Sequence, residues 1–71
     1  MISDADIENW FTYHPPTEEQ RVKYQHLRDA AKDLAKLIRD CTPTCPDQTV
    51  AIRKLREAIF TANAAIACGG K

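Results

Sequence analysis

Thr42-Pro43-Thr44-Cys45-Pro46-Asp47 is the stretch on which the fold of this chain turns. Each proline fixes its own φ and pushes the residue before it out of the helical region, so a helix arriving from the N-terminal side has to stop here. Proline also suits the first position of a new helix, where its missing N–H costs nothing. Thr44 or Cys45 therefore reads as a cap and Pro46 as the start of the next helix. Two long helices joined by so short a connection fold back on each other as an antiparallel hairpin.

Working outward, Gln20, Tyr24, Leu27, Ala31, Leu34, Ile38 and Cys41 keep steps of three or four and draw one apolar stripe along about residues 17–41. Thr17 with Gln20 forms a capping box, and Glu18 and Glu19 occupy the first turn, where the helix dipole favours negative charge. On the other side Ile52, Leu55, Ile59, Ala62 and Ile66 mark a seam over about residues 46–67, which Gly69-Gly70 ends. Upstream, Thr12-Tyr13-His14-Pro15-Pro16 is forced into extended backbone. Before it, Ser3 followed by Asp6 caps a short helix over about residues 4–11, with Ile7, Trp10 and Phe11 on its apolar side and the last two expected as anchors. The expectation is an all-α fold in one domain, residues 1–71: a short N-terminal helix followed by a helix hairpin.

A chain of 71 residues has little core of its own. Below roughly 70–80 residues one core rarely supplies more than about 3–5 kcal/mol, and natural examples add disulfides, a metal or partner subunits. Cys41, Cys45 and Cys68 are an odd number in an apparently cytosolic protein, so free thiols are favoured over a framework, with a Cys41–Cys45 bridge across the turn as the alternative. Cys-x3-Cys with His14 or His26 is a poor zinc pattern. Alanine crowds the end of the last helix at Ala58, Ala62, Ala64, Ala65 and Ala67, where a lone hairpin would leave Ala64, Ile66 or Phe60 to water. Self-association is the expected remedy.

Ten basic and ten acidic side chains give a net charge of zero, which argues against coating a nucleic-acid polymer but leaves room for a small anion held by local cations. No apolar run approaches a membrane span, and the N-terminus lacks the features of a secretory signal. At about 100° per residue, Arg21, Arg28, Lys32 and Arg39 fall on one line of the first long helix, with Asp29, Asp33 and Asp40 further round. Such a ridge is commonly only a solvated face; beside a subunit boundary it could hold phosphates. Phe11, Tyr13 and His14 in the stiffened linker could offer a flat surface to a base. Nucleophile, acid–base and metal motifs are lacking, so binding is expected and catalysis is not.

Phe11-Thr12-Tyr13-His14-Pro15-Pro16, Gln20 with Tyr24, Leu27-Arg28 followed by Ala31-Lys32, and Ala62-Asn63-Ala64-Ala65-Ile66-Ala67 together resemble the small bacteriophage anti-CBASS cyclic-oligonucleotide sponges. The hairpin domain of phage anti-Thoeris sponges is similar. The likeness runs from about residue 10 to residue 68. It implies a homohexamer that sequesters cyclic dinucleotides such as 3',3'-cyclic GMP-AMP, and cyclic trinucleotides in separate pockets, between protomers in the cytoplasm of the infected host. From the charge balance, the hydropathy and the cysteine spacing, no cofactor, metal, nucleic-acid polymer or membrane is expected. Carried over by position, Tyr13 looks like the base-stacking tyrosine, Arg28 or Lys32 like the basic contact, and His14 and Pro15 like the rim beside Phe11. Asn63 resembles a residue tying helix ends across an interface. Arg53, Arg56 and Lys71 are the candidates for a trinucleotide pocket, although Ile59-Phe60-Thr61 departs from the bulky Met-Trp pair of many relatives. The competing reading is a helical module that lays its apolar face on a host protein.

Overall fold

The computed structural model describes residues Met1–Lys71 and contains three helices and no strands: α1 Asp4–Phe11, α2 Glu18–Cys41 and α3 Pro46–Ala67. Both capping boxes read from the sequence form. Ser3 Oγ accepts from the Asp6 N–H at 3.1 Å while the Ser3 N–H donates to Asp6 Oδ2 at 3.0 Å. Thr17 and Gln20 repeat the exchange at the start of α2. Each pair satisfies two backbone or side-chain groups that a helix start otherwise leaves to water.

At the hairpin turn Cys45 is the cap and Pro46 the first helical residue, but the thiol makes no capping bond. Gln48 does the closing: its Nε2 donates to the carbonyls of Arg39 at 3.0 Å and Thr42 at 3.2 Å. Thr42 Oγ1 donates back to the Ile38 carbonyl at 2.6 Å. Orphan carbonyls at the end of α2 are thus taken by side chains from the turn and from the first turn of α3. At the far end of α3, Gly69 and Gly70 adopt φ of 67° and 77°, and the Gly70 N–H donates to the Ala65 carbonyl at 2.9 Å. That left-handed exit is why glycine stands there.

α2 and α3 pack along their length. The half-buried residues of α3 include all five expected of its seam, Ile52, Leu55, Ile59, Ala62 and Ile66. On α2 the stripe is corrected at one end: Ala35 is half-buried where Leu34 was expected, Leu34 is 44% exposed, and Cys41 is exposed. At about 100° per residue Leu34 and Ala35 flank the centre of the stripe on opposite sides by similar angles, and it is Ala35 that borders the groove with α3.

α1 sits at the open end of the hairpin. Its half-buried residues are Asp6 and Asn9, and Phe11, expected as an anchor, is 83% exposed. Two positions beyond Asn9, Phe11 points about 200° away from the docked side. Trp10 is tied instead by its indole, whose Nε1 donates to the Lys71 carbonyl at 3.2 Å.

None of the 71 residues is fully buried, and 5853 Å² of surface stays accessible. A compact chain of this mass leaves roughly 4,500 Å². The radius of gyration is 15.3 Å and the thinnest dimension 15 Å, against roughly 11 Å for the radius of a compact chain of this length. The protein is a slab little thicker than one helix. Cys41, Cys45 and Cys68 are all free thiols. No helix is long and apolar enough to cross a membrane.

Candidate functional site

A groove of about 340 Å³ runs along one side of the α2–α3 seam. Its floor is Ala31, Ala35, Ile52, Leu55 and Ile59, and its polar rim is Arg28 and Lys32 from α2 with Arg56 and Asn63 from α3, beside Phe60. Local helix geometry places each group. Arg28 and Lys32 are one turn apart, as are Arg56 and Phe60, and Asn63 follows two turns after Arg56. The antiparallel register then sets the two rims level: Gln20 Nε2 donates to the Ile66 carbonyl at 3.4 Å, and ten residues further from that point along each helix stand Ala30 and Arg56. Arg56 therefore lies between the levels of Arg28 and Lys32.

No carboxylate lines this groove, and its three cations form no ion pair. The rest of the basic ridge is neutralised: Arg21 pairs with Glu18 at 3.6 Å and Arg39 with Asp40 at 2.9 Å. The side-chain hydrogen bond from Arg39 holds the Asp40 carboxyl below its ordinary value, and the same bond raises Arg39. Arg28 is oriented without being neutralised. Its Nη1 donates to Gln25 Oε1 at 3.0 Å, and Gln25 Nε2 donates on to Asp29 Oδ1 at 2.8 Å. The Arg56 guanidinium lies 5.3 Å from the centroid of the Phe60 ring, a cation–π arrangement that keeps the charge over an aromatic face. Asn63 Oδ1 is shielded from solvent and has no hydrogen-bond partner within the chain. Unpaired arginine and lysine around an apolar floor suit an anion with a flat, weakly polar body.

The residues singled out from the sequence thus divide. Arg28, Lys32, Arg56 and Asn63 line the groove; Phe11, Tyr13, His14, Pro15 and Arg53 do not. Of the three residues expected to share a second pocket, Arg56 stands mid-way along α3 on the groove, while Lys71 follows the end of that helix. Lys71 borders a separate hollow of about 290 Å³ with Trp10, Thr61, Ala64, Ala65, Cys68 and Gly70. Tyr13 is 79% exposed on its linker. The His14 ring is committed within the chain: Nε2 lies 2.6 Å from the Asn9 carbonyl, which can only accept, so Nε2 carries the hydrogen.

Two participants went unnoticed in the sequence. Phe60 stands four residues after Arg56, and that spacing alone would have suggested the stacked pair. Asn9 carried no comparable signal, because its side-chain partner, the Cys68 carbonyl at 3.3 Å, is 59 residues away. No group of three or more His, Cys, Asp and Glu side chains comes together to hold a metal.

The family model for the Acb2/Tad1 hairpin domain matches residues 3–67, nearly the whole chain. The chain belongs to that family. Acb2/Tad1 hairpins are the anti-CBASS and anti-Thoeris sponges to which the YHPP and ANAAIA segments pointed. In this Acb2/Tad1 hairpin the matched span takes in α1, the linker, both long helices and every groove residue. No curated protein and no solved structure matches the chain.

Proposed function

We propose that this protein is a phage immune-evasion sponge that holds cyclic dinucleotides, and cyclic trinucleotides as a second class, between copies of itself without cleaving them. In the cytoplasm of an infected bacterium it would starve the CBASS effector of its messenger. The observation that carries this reading is the groove: Arg28, Lys32 and Arg56 face an apolar floor with no acid among them. Family membership supports the same class of ligand.

A single chain supplies cations but no stacking ring from its linker to this groove, so Tyr13 of a second copy is the residue that completes it. A cyclic dinucleotide is nearly two-fold symmetric, and a cleft on a two-fold axis repeats each contact once per chain. One charged hydrogen bond and one ring stack per chain, about 1.5–3 and about 1–3 kcal/mol, give roughly 5–12 kcal/mol gross over both chains before ordering losses. The excess surface of the slab supports assembly, the partners being further copies up to the hexamer that the family resemblance implies.

Calorimetric titration of the purified protein with 3',3'-cyclic GMP-AMP and with cyclic tri-AMP tests the reading. Arg28→Ala/Lys32→Ala is expected to weaken dinucleotide binding by about a hundredfold or more, in line with two charged hydrogen bonds per cleft. Intact ligand should return after heat denaturation. Absence of heat with either ligand, or product in place of ligand, would overturn it.

A further inference from the structure

Tyr13 has no hydrogen bond of its own and is 79% exposed, so something else must set where its ring stands. The bonds around it form a chain. His14, its neighbour, donates from Nε2 to the Asn9 carbonyl at 2.6 Å, and Asn9 Nδ2 donates to the Cys68 carbonyl at 3.3 Å. His14 and Asn9 are half-buried, whereas Tyr13 between the linker and solvent is not. One residue, Asn9, therefore joins the linker to α1 through its backbone and α1 to the end of α3 through its side chain. Pro15 and Pro16 stiffen the segment on the other side, where the Thr17 cap begins α2. Trp10 adds a parallel tie to Lys71.

We propose that His14 and Asn9 are positioning residues for Tyr13: a latch through which the stacking ring is held in register with the end of α3. The inference rests on the sponge reading, in which Tyr13 stacks on a base. It changes the role of His14, whose Nε2 is spent inside the chain and is not a ligand contact. Stacking needs a ring at a fixed height and tilt, and a ring on a free linker would lose affinity to the cost of ordering it. The latch meets that cost before ligand arrives.

The position of the hydrogen on His14 makes the test specific. Nε2 of glutamine lies the same number of bonds from Cα as Nε2 of histidine, so His14→Gln keeps a donor within reach of the Asn9 carbonyl. His14→Phe keeps the ring and loses the donor. Titrated with 3',3'-cyclic GMP-AMP, His14→Phe and Asn9→Ala are each expected to weaken binding by about three- to tenfold, the scale of one hydrogen bond. His14→Gln should recover most of the loss. The double variant should lose little more than the worse single one, because the two bonds lie in series.

Ring mobility supplies a readout that general destabilisation would not move. The chain has two tyrosines, and Tyr24 sits half-buried on the α2–α3 seam as an internal reference. In His14→Phe the Tyr13 ring resonances should become more mobile while those of Tyr24 stay unchanged. Equal loosening of both rings, or equal binding by His14→Phe and wild type while Tyr13→Ala abolishes it, would overturn the latch. Unchanged binding in Tyr13→Ala would instead remove the sponge site on which the latch depends, so the two failures are told apart.

Discussion

The α2–α3 seam and the Thr12–Pro16 linker are held by different physics. Along the seam, Tyr24, Leu27, Ala31, Ile52, Leu55 and Ile59 each contribute a modest apolar contact, and the sum does not depend on any one of them. The linker buries only part of His14 and Pro16 and is held by a few single hydrogen bonds, Thr12 to the Glu8 carbonyl, His14 to Asn9 and Asn9 to Cys68, with two prolines limiting what else it can do. A periodic contact is redundant and tolerant; a chain of single bonds is cheap to build and easy to release. The seam makes the scaffold, and the linker decides where one ring is presented.

The largest effect should come from breaking the seam. Ile59→Asp places a charge against Ala31 and Leu55 in a chain whose total stability is small, at a cost of about 3 kcal/mol or more. Circular dichroism should report a large loss of helix at room temperature, and a melting curve like that of the wild type would mean that the α2–α3 contact does not hold the fold.

A middle-sized effect separates the two regions. Pro15→Ala/Pro16→Ala should leave helix content and assembly intact but free the linker, with a loss of about 0.4–1 kcal/mol per proline and a several-fold weaker response to 3',3'-cyclic GMP-AMP. A change in subunit number on a sizing column would show that the linker belongs to the scaffold after all.

The smallest effect sharpens the electrostatic side. Asp40 has its carboxyl lowered by the Arg39 hydrogen bond, so its contribution is complete above the ordinary carboxylate range and is lost as pH falls through the lowered value. Both groups are fully solvated, and Asp40→Asn should leave the melting midpoint at neutral pH unchanged and remove only a slight acid-side slope. A marked drop at neutral pH would mean that this pair does more than decorate the turn.

The same contrast explains what could be read from the sequence. Ser3, Thr17 and Pro46 marked three helix starts because caps and prolines act locally, and the α3 seam followed from its spacing. Leu34 was misplaced because it and Ala35 lie about equally far from the centre of the stripe, and the side on which α3 packs is not fixed by the pattern of α2 alone. In the groove, Arg28 and Lys32 were visible as a ridge, but their meeting with Arg56 depended on the register of two antiparallel helices, which the pattern of either helix alone does not fix. Asn9 was out of reach: an asparagine in a short helix gives no sign that a carbonyl 59 residues away awaits it.

The central claim is that this thin slab completes its packing, and its binding cleft, with copies of itself. Native mass spectrometry at micromolar concentration, with and without 3',3'-cyclic GMP-AMP, tests it most directly. The account predicts an even-numbered assembly that takes up one cyclic dinucleotide per pair of chains and keeps its subunit number on binding. A folded single chain that takes up none would contradict it.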